Sequence, residues 1–141
     1  MDIQIINKSV FVDGNKATKK RLPKWSHSRE VYYTENYIIK VSFTGCDYEE
    51  EFCQTLSEFS LYKRLDNEDK IFFAKPIRIS KRFKYGVYER IFPSNHCRDG
   101  AYDLVRSLCD KYGLYDIYGR EDNWVMVSEN TPKILDYGYQ H

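Results

Sequence analysis

Short β-type alternations and two stretches of helical periodicity divide this chain. "IQIINKSVFVDGNK" has short apolar runs around the turn signal Asp13-Gly14, which predicts a small hairpin or edge strand. "NKATKKRLPKWSHS" is polar and basic with one proline and predicts a loop. "REVYYTENYIIKVSF" predicts a hairpin: Val31 and Tyr33 alternate, Glu35-Asn36 turns, and Tyr37 to Phe43 is rich in β-formers. "DYEEEFCQTLSEFSLYKRL" predicts the first helix. Asp47 and Glu50 form a capping box, Glu49 to Glu51 suit the helix N-terminal dipole, and Phe52, Leu56, Phe59 and Leu65 follow helical spacing with one gap. "KIFFAKPIRISKRFKYGVYERIF" predicts a second hairpin turning near Lys84 to Gly86. "RDGAYDLVRSLCDKYG" predicts a second helix with Leu104, Val105, Leu108 and Cys109 as its apolar face and Gly113 as its stop. "WVMVS" and "PKILDY" predict two short strands joined by "ENT". Strands with segregated helices give an α+β fold, here a single domain over residues 1–141.

Composition narrows the classes. A chain of 141 residues suffices for one domain with a core. Its 13 tyrosines, 8 phenylalanines and 2 tryptophans suit half-buried strands and ligand surfaces. No apolar run is long enough to span a membrane, and "MDIQII" lacks the basic start of a signal peptide, so a cytoplasmic protein is expected. Cys46, Cys53, Cys97 and Cys109 form no CxxC pair and are expected to be reduced thiols. A zinc site from Cys46, Cys53, His96 and Cys97 lacks ligand spacing.

Net charge is +1 but banded: residues 1–45 and 71–98 are basic, 46–70 and 99–141 acidic. A basic band between acidic ones attracts phosphate, although each band alone is explained by a solvated strand or helix face. "KATKKRLPK" and the basic 75–90 hairpin raise the alternative of a nucleic-acid binder; the near-neutral charge and the acidic bands weigh against it.

Phosphoryl transfer requires a cation on the phosphates, metal ligands and a carboxylate that orients the acceptor. Lys40 in "YIIKV" is a lysine inside an apolar strand, and once buried it needs a carboxylate. Glu58 supplies one from the first helix; Glu51, two turns earlier on nearly the same face, is the other choice. Asp136 in "ILDYG" ends an apolar strand before a glycine, where a carboxylate can hold a divalent metal. Asn123 in "EDNW" offers a neutral oxygen, and Asp116 in "LYDIY" can orient an acceptor hydroxyl. Taken singly, Lys40 reads as an edge-strand lysine and Asp136 as a turn aspartate. Their joint order is what carries the chemistry.

In that order, "REVYYTENYIIKV", "SEFSLYKRL", "YGVYERI", "YGLYDIYGREDNW" and "KILDYG" resemble the protein kinase-like superfamily. The likeness includes aminoglycoside-phosphotransferase-type kinases, and in style the very small kinase-like proteins of bacteriophages. It covers residues 29 to 138. It implies an N-lobe of antiparallel sheet and one helix over 1–92 and a minimal C-lobe of helix, catalytic-type loop and short hairpin over 93–141. It also implies ATP and Mg²⁺ as cofactors. Lys40 would hold the phosphates and Glu58 would pair with it. Tyr88 would be the gatekeeper, backbone groups of Glu89 and Ile91 would meet the adenine edge, Asp116 would be the catalytic aspartate, and Asn123 and Asp136 the metal ligands. Three features depart from the pattern. "KWSHSREV" replaces a glycine-rich loop, with Ser26 and Ser28 as small hydroxyl residues able to bond phosphate; His27 and Arg29 are able to do so too, though such residues are more often plain loop residues. Asp116 and Asn123 are seven apart where the family has five, so Glu121 and Asp122 or a bulge at Gly119 enter the question. No helical platform for a peptide substrate follows Gly138.

Two functions are therefore expected. One is a minimal ATP-dependent phosphotransferase acting on a host protein, a small molecule or itself. The other is a pseudokinase-like module that binds a host protein, in the host cytoplasm if the source is viral. A truncated C-lobe would further expose the 101–109 helix through Leu104, Val105 and Leu108 and favour a homodimer.

Overall fold

A computed structural model of the chain describes residues 1–21, 29–42, 53–114 and 123–138. Ten strands and two α-helices are present among the described residues. The chain starts with β1 (Ile3–Ile6), β2 (Ser9–Val12) and β3 (Asn15–Lys16), which form a three-stranded antiparallel sheet. Two-residue turns join them: Asn7-Lys8 with φ of 49° and 63°, and Asp13-Gly14 with φ of 50° and 81°. Positive φ at both central positions matches the twist of the flanking strands. The pattern had flagged the Asp-Gly turn and passed over Asn7-Lys8.

β4 (Thr18–Lys19), β5 (Glu30–Tyr33), β6 (Tyr37–Val41), β7 (Pro76–Ile79) and β8 (Tyr85–Glu89) make the main antiparallel sheet, in the order β4-β5-β6-β8-β7. The hairpin around Glu35-Asn36 forms as expected. The basic stretch expected to be a loop instead contributes β4, which pairs Thr18 with Tyr33 and Lys19 with Tyr32. The second hairpin is corrected too. Residues 70–72 of its expected first arm belong instead to a 3-10 helix (Asn67–Phe72), and the turn comes at Lys81–Phe83, with positive φ at Arg82 and Phe83.

The main sheet has two different faces. Val10, Val12 and Ala17 of the N-terminal segment pack on Tyr32, Ile39, Val41 and Val87. Strand alternation turns Lys40 and Tyr88 to the other face. There α1 (Gln54–Arg64) lies across the sheet. Gly86, paired with Lys40, makes this approach feasible: a Cβ there would come within 2.8 Å of Thr55 Cγ2.

The helix differs from expectation in where its caps and its burial fall. Asp47, Glu50 and Phe52 lie outside the described residues. Cys53 is the N-cap, with its Sγ 3.4 Å from the Leu56 N–H. It is disulfide-bonded, which corrects the reading of four reduced thiols, whereas Cys97 and Cys109 form no disulfide. Leu56 and Phe59 are only half-buried, and the buried residues are Thr55, Ser57, Glu58 and Leu61. A mostly polar face is thus turned inward, because it meets a polar site rather than a core.

The second core lies below. α2 (Tyr102–Tyr112) ends at Gly113, whose φ of 70° is the left-handed stop expected of it. β9 (Trp124–Met126) and β10 (Pro132–Ile134) form a separate hairpin. Val105, Leu108 and Cys109 pack with Leu61, Leu65, Phe73, Trp124, Ile134 and Tyr137. Val105 and Leu108, expected to be exposed, are buried within the single chain, and Leu104 is half-buried. The chain carries no helix, among the described residues, long and apolar enough to cross a membrane.

Gly138 sits against the start of α1: a Cβ there would lie 2.2 Å from Gln54 Cγ and 2.8 Å from the Gln54 carbonyl oxygen. Gly138→Ala is expected to destabilise the fold by about 1–3 kcal/mol, the usual range for overpacking. Urea unfolding checks this; an unchanged midpoint would mean that the 136–138 segment can shift away from α1 freely.

Candidate functional site

Four segments converge on the carboxylate of Glu58. The side chain is fully buried. Its Oε1 accepts from Arg29 Nη1 at 2.5 Å and from the Tyr88 hydroxyl at 2.6 Å. Its Oε2 accepts from the Tyr137 N–H at 2.9 Å and faces Lys40 Nζ at 3.4 Å. These donors come from the residue before β5, from β6, from β8 and from the segment after β10. A buried carboxylate is tolerated only when its lone pairs are met in this way.

Lys40 is 8% exposed, which answers the question of whether it faces water. Its ammonium donates to the Leu135 carbonyl at 2.8 Å, lies 3.5 Å from Asp136 Oδ1, and sits 4.5 Å from the centre of the Tyr88 ring. Glu58 is thereby its carboxylate in the helix; Glu51 lies outside the described residues. Asp136 is brought to the same place by the β9–β10 hairpin. The Asn123 carbonyl accepts from the Leu135 N–H at 2.8 Å and the Asp136 N–H at 3.4 Å, which sets Asn123 beside Asp136. Tyr137 points away into the core, where its hydroxyl donates to the Ala74 carbonyl at 2.7 Å and its ring meets Phe73 edge-on.

Arg29 is the group that sequence reasoning left as a loop residue. It is 6% exposed and bridges the two carboxylates, with Nη1 on Glu58 and Nη2 2.7 Å from Asp136 Oδ1. Nη1 also reaches Thr55 Oγ1 and the Tyr88 hydroxyl. One signal was available. Two carboxylates facing a single buried lysine leave an uncompensated charge, so a second cation is required. Sequence alone did not say which basic residue supplies it.

The electrostatics follow from these contacts. Burial alone would raise the Asp136 carboxyl, but Lys40 and then Arg29 outweigh it and hold it down at about 2. Burial would lower the Arg29 guanidinium, yet Glu58, Tyr88 and Asp136 together raise it. Burial, then Glu58, pushes the Tyr88 hydroxyl well above its ordinary value, so it stays a donor.

Of the other residues expected in the site, Tyr88 is present with its hydroxyl inside the network. Glu89 ends β8; its N–H donates to the Lys75 carbonyl and its carboxylate is 2.6 Å from Lys133 Nζ. Ile91 follows, half-buried. Ser28 and Asp116 lie outside the described residues, as do Ser26, His27, Gly119, Glu121 and Asp122.

The arrangement was tested against a divalent metal. Asp136 Oδ1 faces Arg29, Lys40 and Gln54 Nε2, the last at 3.4 Å. Among the described residues no cluster of three or more His, Cys, Asp or Glu side chains is placed to hold an ion. At Oδ1 the donor set, as it stands, does not fit a divalent cation.

No protein-family model and no curated protein matches the chain. Among solved structures, a Legionella pneumophila kinase, Lpg2603, bound to IP6 is similar over 99% of this chain, with a TM-score of 0.49 and 17% sequence identity. This chain spans 60% of the length of that one.

Two outcomes test the network. Glu58→Ala leaves Arg29 and Lys40 buried without their shared partner and is expected to cost about 3–5 kcal/mol in urea unfolding. The second concerns acid. A carboxyl depressed from 3.8 to about 2 contributes stability that is complete above its ordinary value and is lost as pH falls toward 2. The gap in melting temperature between the native chain and Asp136→Asn should therefore be widest at pH 5 and shrink toward pH 2. A gap independent of pH would mean that Asp136 gains nothing from the two cations.

Proposed function

We propose that this chain is a kinase-like module that binds the phosphates of a nucleotide in the cleft between its main sheet and the 123–138 segment. The observation that carries the reading is the meeting of Lys40, Glu58 and Asp136. The lysine lies within 3.5 Å of carboxylates that are 18 residues downstream on a helix and 96 residues downstream after a strand pair. A strand lysine held by a helix glutamate, beside a strand-end aspartate, is the arrangement that phosphoryl-transfer sites use to fix a cation at the phosphates. In this reading Tyr88 closes the back of the cleft, and backbone groups at Glu89 and Ile91 meet the base. The chemical role left for Lys40 is electrostatic: an ammonium whose place is set by Glu58, by the Leu135 carbonyl and by the Tyr88 ring.

Phosphoryl transfer, with Asp116 orienting an acceptor hydroxyl, is the more ambitious form of this function. Binding without turnover, as a pseudokinase-like module that engages a host protein, is the second. The Arg29–Asp136 ion pair favours the second form, because it occupies the carboxylate that transfer chemistry would give to a metal.

Titration of ATP, with and without Mg²⁺, into the pure protein tests the reading by melting temperature or heat. Stabilisation is expected in the native chain, and Lys40→Met should weaken it at least about tenfold, the worth of one charge-assisted contact. Absence of any shift at millimolar ATP would overturn nucleotide binding. Label transfer from γ-labelled ATP, lost in Asp116→Asn, would separate the transferase from the binding module.

A further inference from the structure

The Glu58 site contains a charge arrangement that the kinase resemblance does not anticipate. Lys40 and Arg29 face Glu58 and Asp136, so the four groups balance without any added ion. Arg29 makes the shortest contacts with both carboxylates: 2.5 Å to Glu58 and 2.7 Å to Asp136, against 3.4 and 3.5 Å for Lys40. Its planar guanidinium offers paired donors to two acceptors at once, which a lysine in its place does not. The group is also anchored apart from Asp136. Thr55 Oγ1 at 3.3 Å and the Tyr88 hydroxyl at 3.2 Å hold Nη1, so loss of Asp136 would not release it.

A divalent cation coordinated by Asp136 Oδ1 would stand next to a guanidinium 2.7 Å from that oxygen and an ammonium 3.5 Å from it. Arg29 and Lys40 are buried and only Asp136 reaches solvent, so like charges at such spacing are incompletely screened and repel. Either the metal or the guanidinium takes that oxygen.

We propose that Arg29 is the built-in counter-cation of Asp136, holding Oδ1 and opposing a divalent metal at this carboxylate, so that the site receives phosphate on Lys40 and Arg29 directly. The phosphate half of this statement rests on the nucleotide reading above. The metal half does not, and the experiment addresses it alone.

Mn²⁺ is titrated into the nucleotide-free protein and its free concentration followed by electron paramagnetic resonance. The native chain is expected to bind no Mn²⁺ at Asp136 below millimolar concentration. Arg29→Gln, which removes the charge and retains a polar side chain, should gain at least about tenfold in Mn²⁺ affinity, as expected from losing a competing charged hydrogen bond. The double variant Arg29→Gln with Asp136→Asn should lose that gain. If Arg29→Gln fails to fold, Arg29→Lys keeps the charge with one donor point and should show the same gain in smaller measure. Native protein that binds Mn²⁺ tightly, with the binding lost in Asp136→Asn, overturns the proposal. So does a folded Arg29 variant with no gain. Because no nucleotide is present, failure here is distinct from failure to bind ATP.

Discussion

Glu58 is a negative charge with no access to water, and the fold on either side of it is arranged to meet it. Taking a carboxylate out of water costs several kcal/mol even after relaxation, and recovering this needs donors of good geometry on both oxygens. Here those donors come from positions as far apart as Arg29 and Tyr137. The main sheet brings Arg29, Lys40 and Tyr88; the segment after β10 brings the Tyr137 N–H and the second carboxylate, Asp136. The two cores, one on each side, can be seen as the means by which these segments are held in register. The apolar contacts fix the backbone, and the charged contacts fix which atoms face one another.

This constraint also explains the odd helix. An amphipathic helix normally turns leucines inward. α1 turns Thr55, Ser57 and Glu58 inward and leaves Leu56 and Phe59 half-buried. Gly86 and Gly138 let it come close on both sides, to the sheet and to the 136–138 segment. A network like this is poor as a source of stability, since an apolar cluster of equal volume would do as well or better. Its presence is better understood as a site, where perturbed groups such as Asp136 and Tyr88 are gathered by design of the fold.

Much of this was legible in the sequence because it depends on local pattern. The Tyr37–Val41 strand, the α2 face and the Gly113 stop follow from alternation, helical spacing and the conformational freedom of glycine. Lys40, Glu58 and Asp136 were found because strand, helix and strand-end positions suggested one site. What was not legible depends on contact. β4 hides in a basic stretch because a two-residue edge strand is defined by its partner and has no period of its own. Ile71 and Phe72 read as the start of a strand, but Asp66 and Asp69 bind Lys111 at 2.7 Å and tie this segment to α2 as a 3-10 turn. The apolar side of α2 was expected in water because nothing in the pattern says that β9 and β10 fold back over it.

Arg29 shows the same limit most clearly. A lone arginine before a strand carries no local signal, and its neighbours Ser28 and Glu30 are ordinary surface types. Its role is set by charge balance across the fold. Lys40 alone cannot neutralise two carboxylates, and the position one residue before β5 is where a long side chain can reach both. A lysine there would supply the charge but not the fork that spans Glu58 and Asp136 at once. The consequence extends to chemistry. A carboxylate that keeps one partner permanently is less able to take a second, so the contact that completes the buried network also determines what Asp136 can bind.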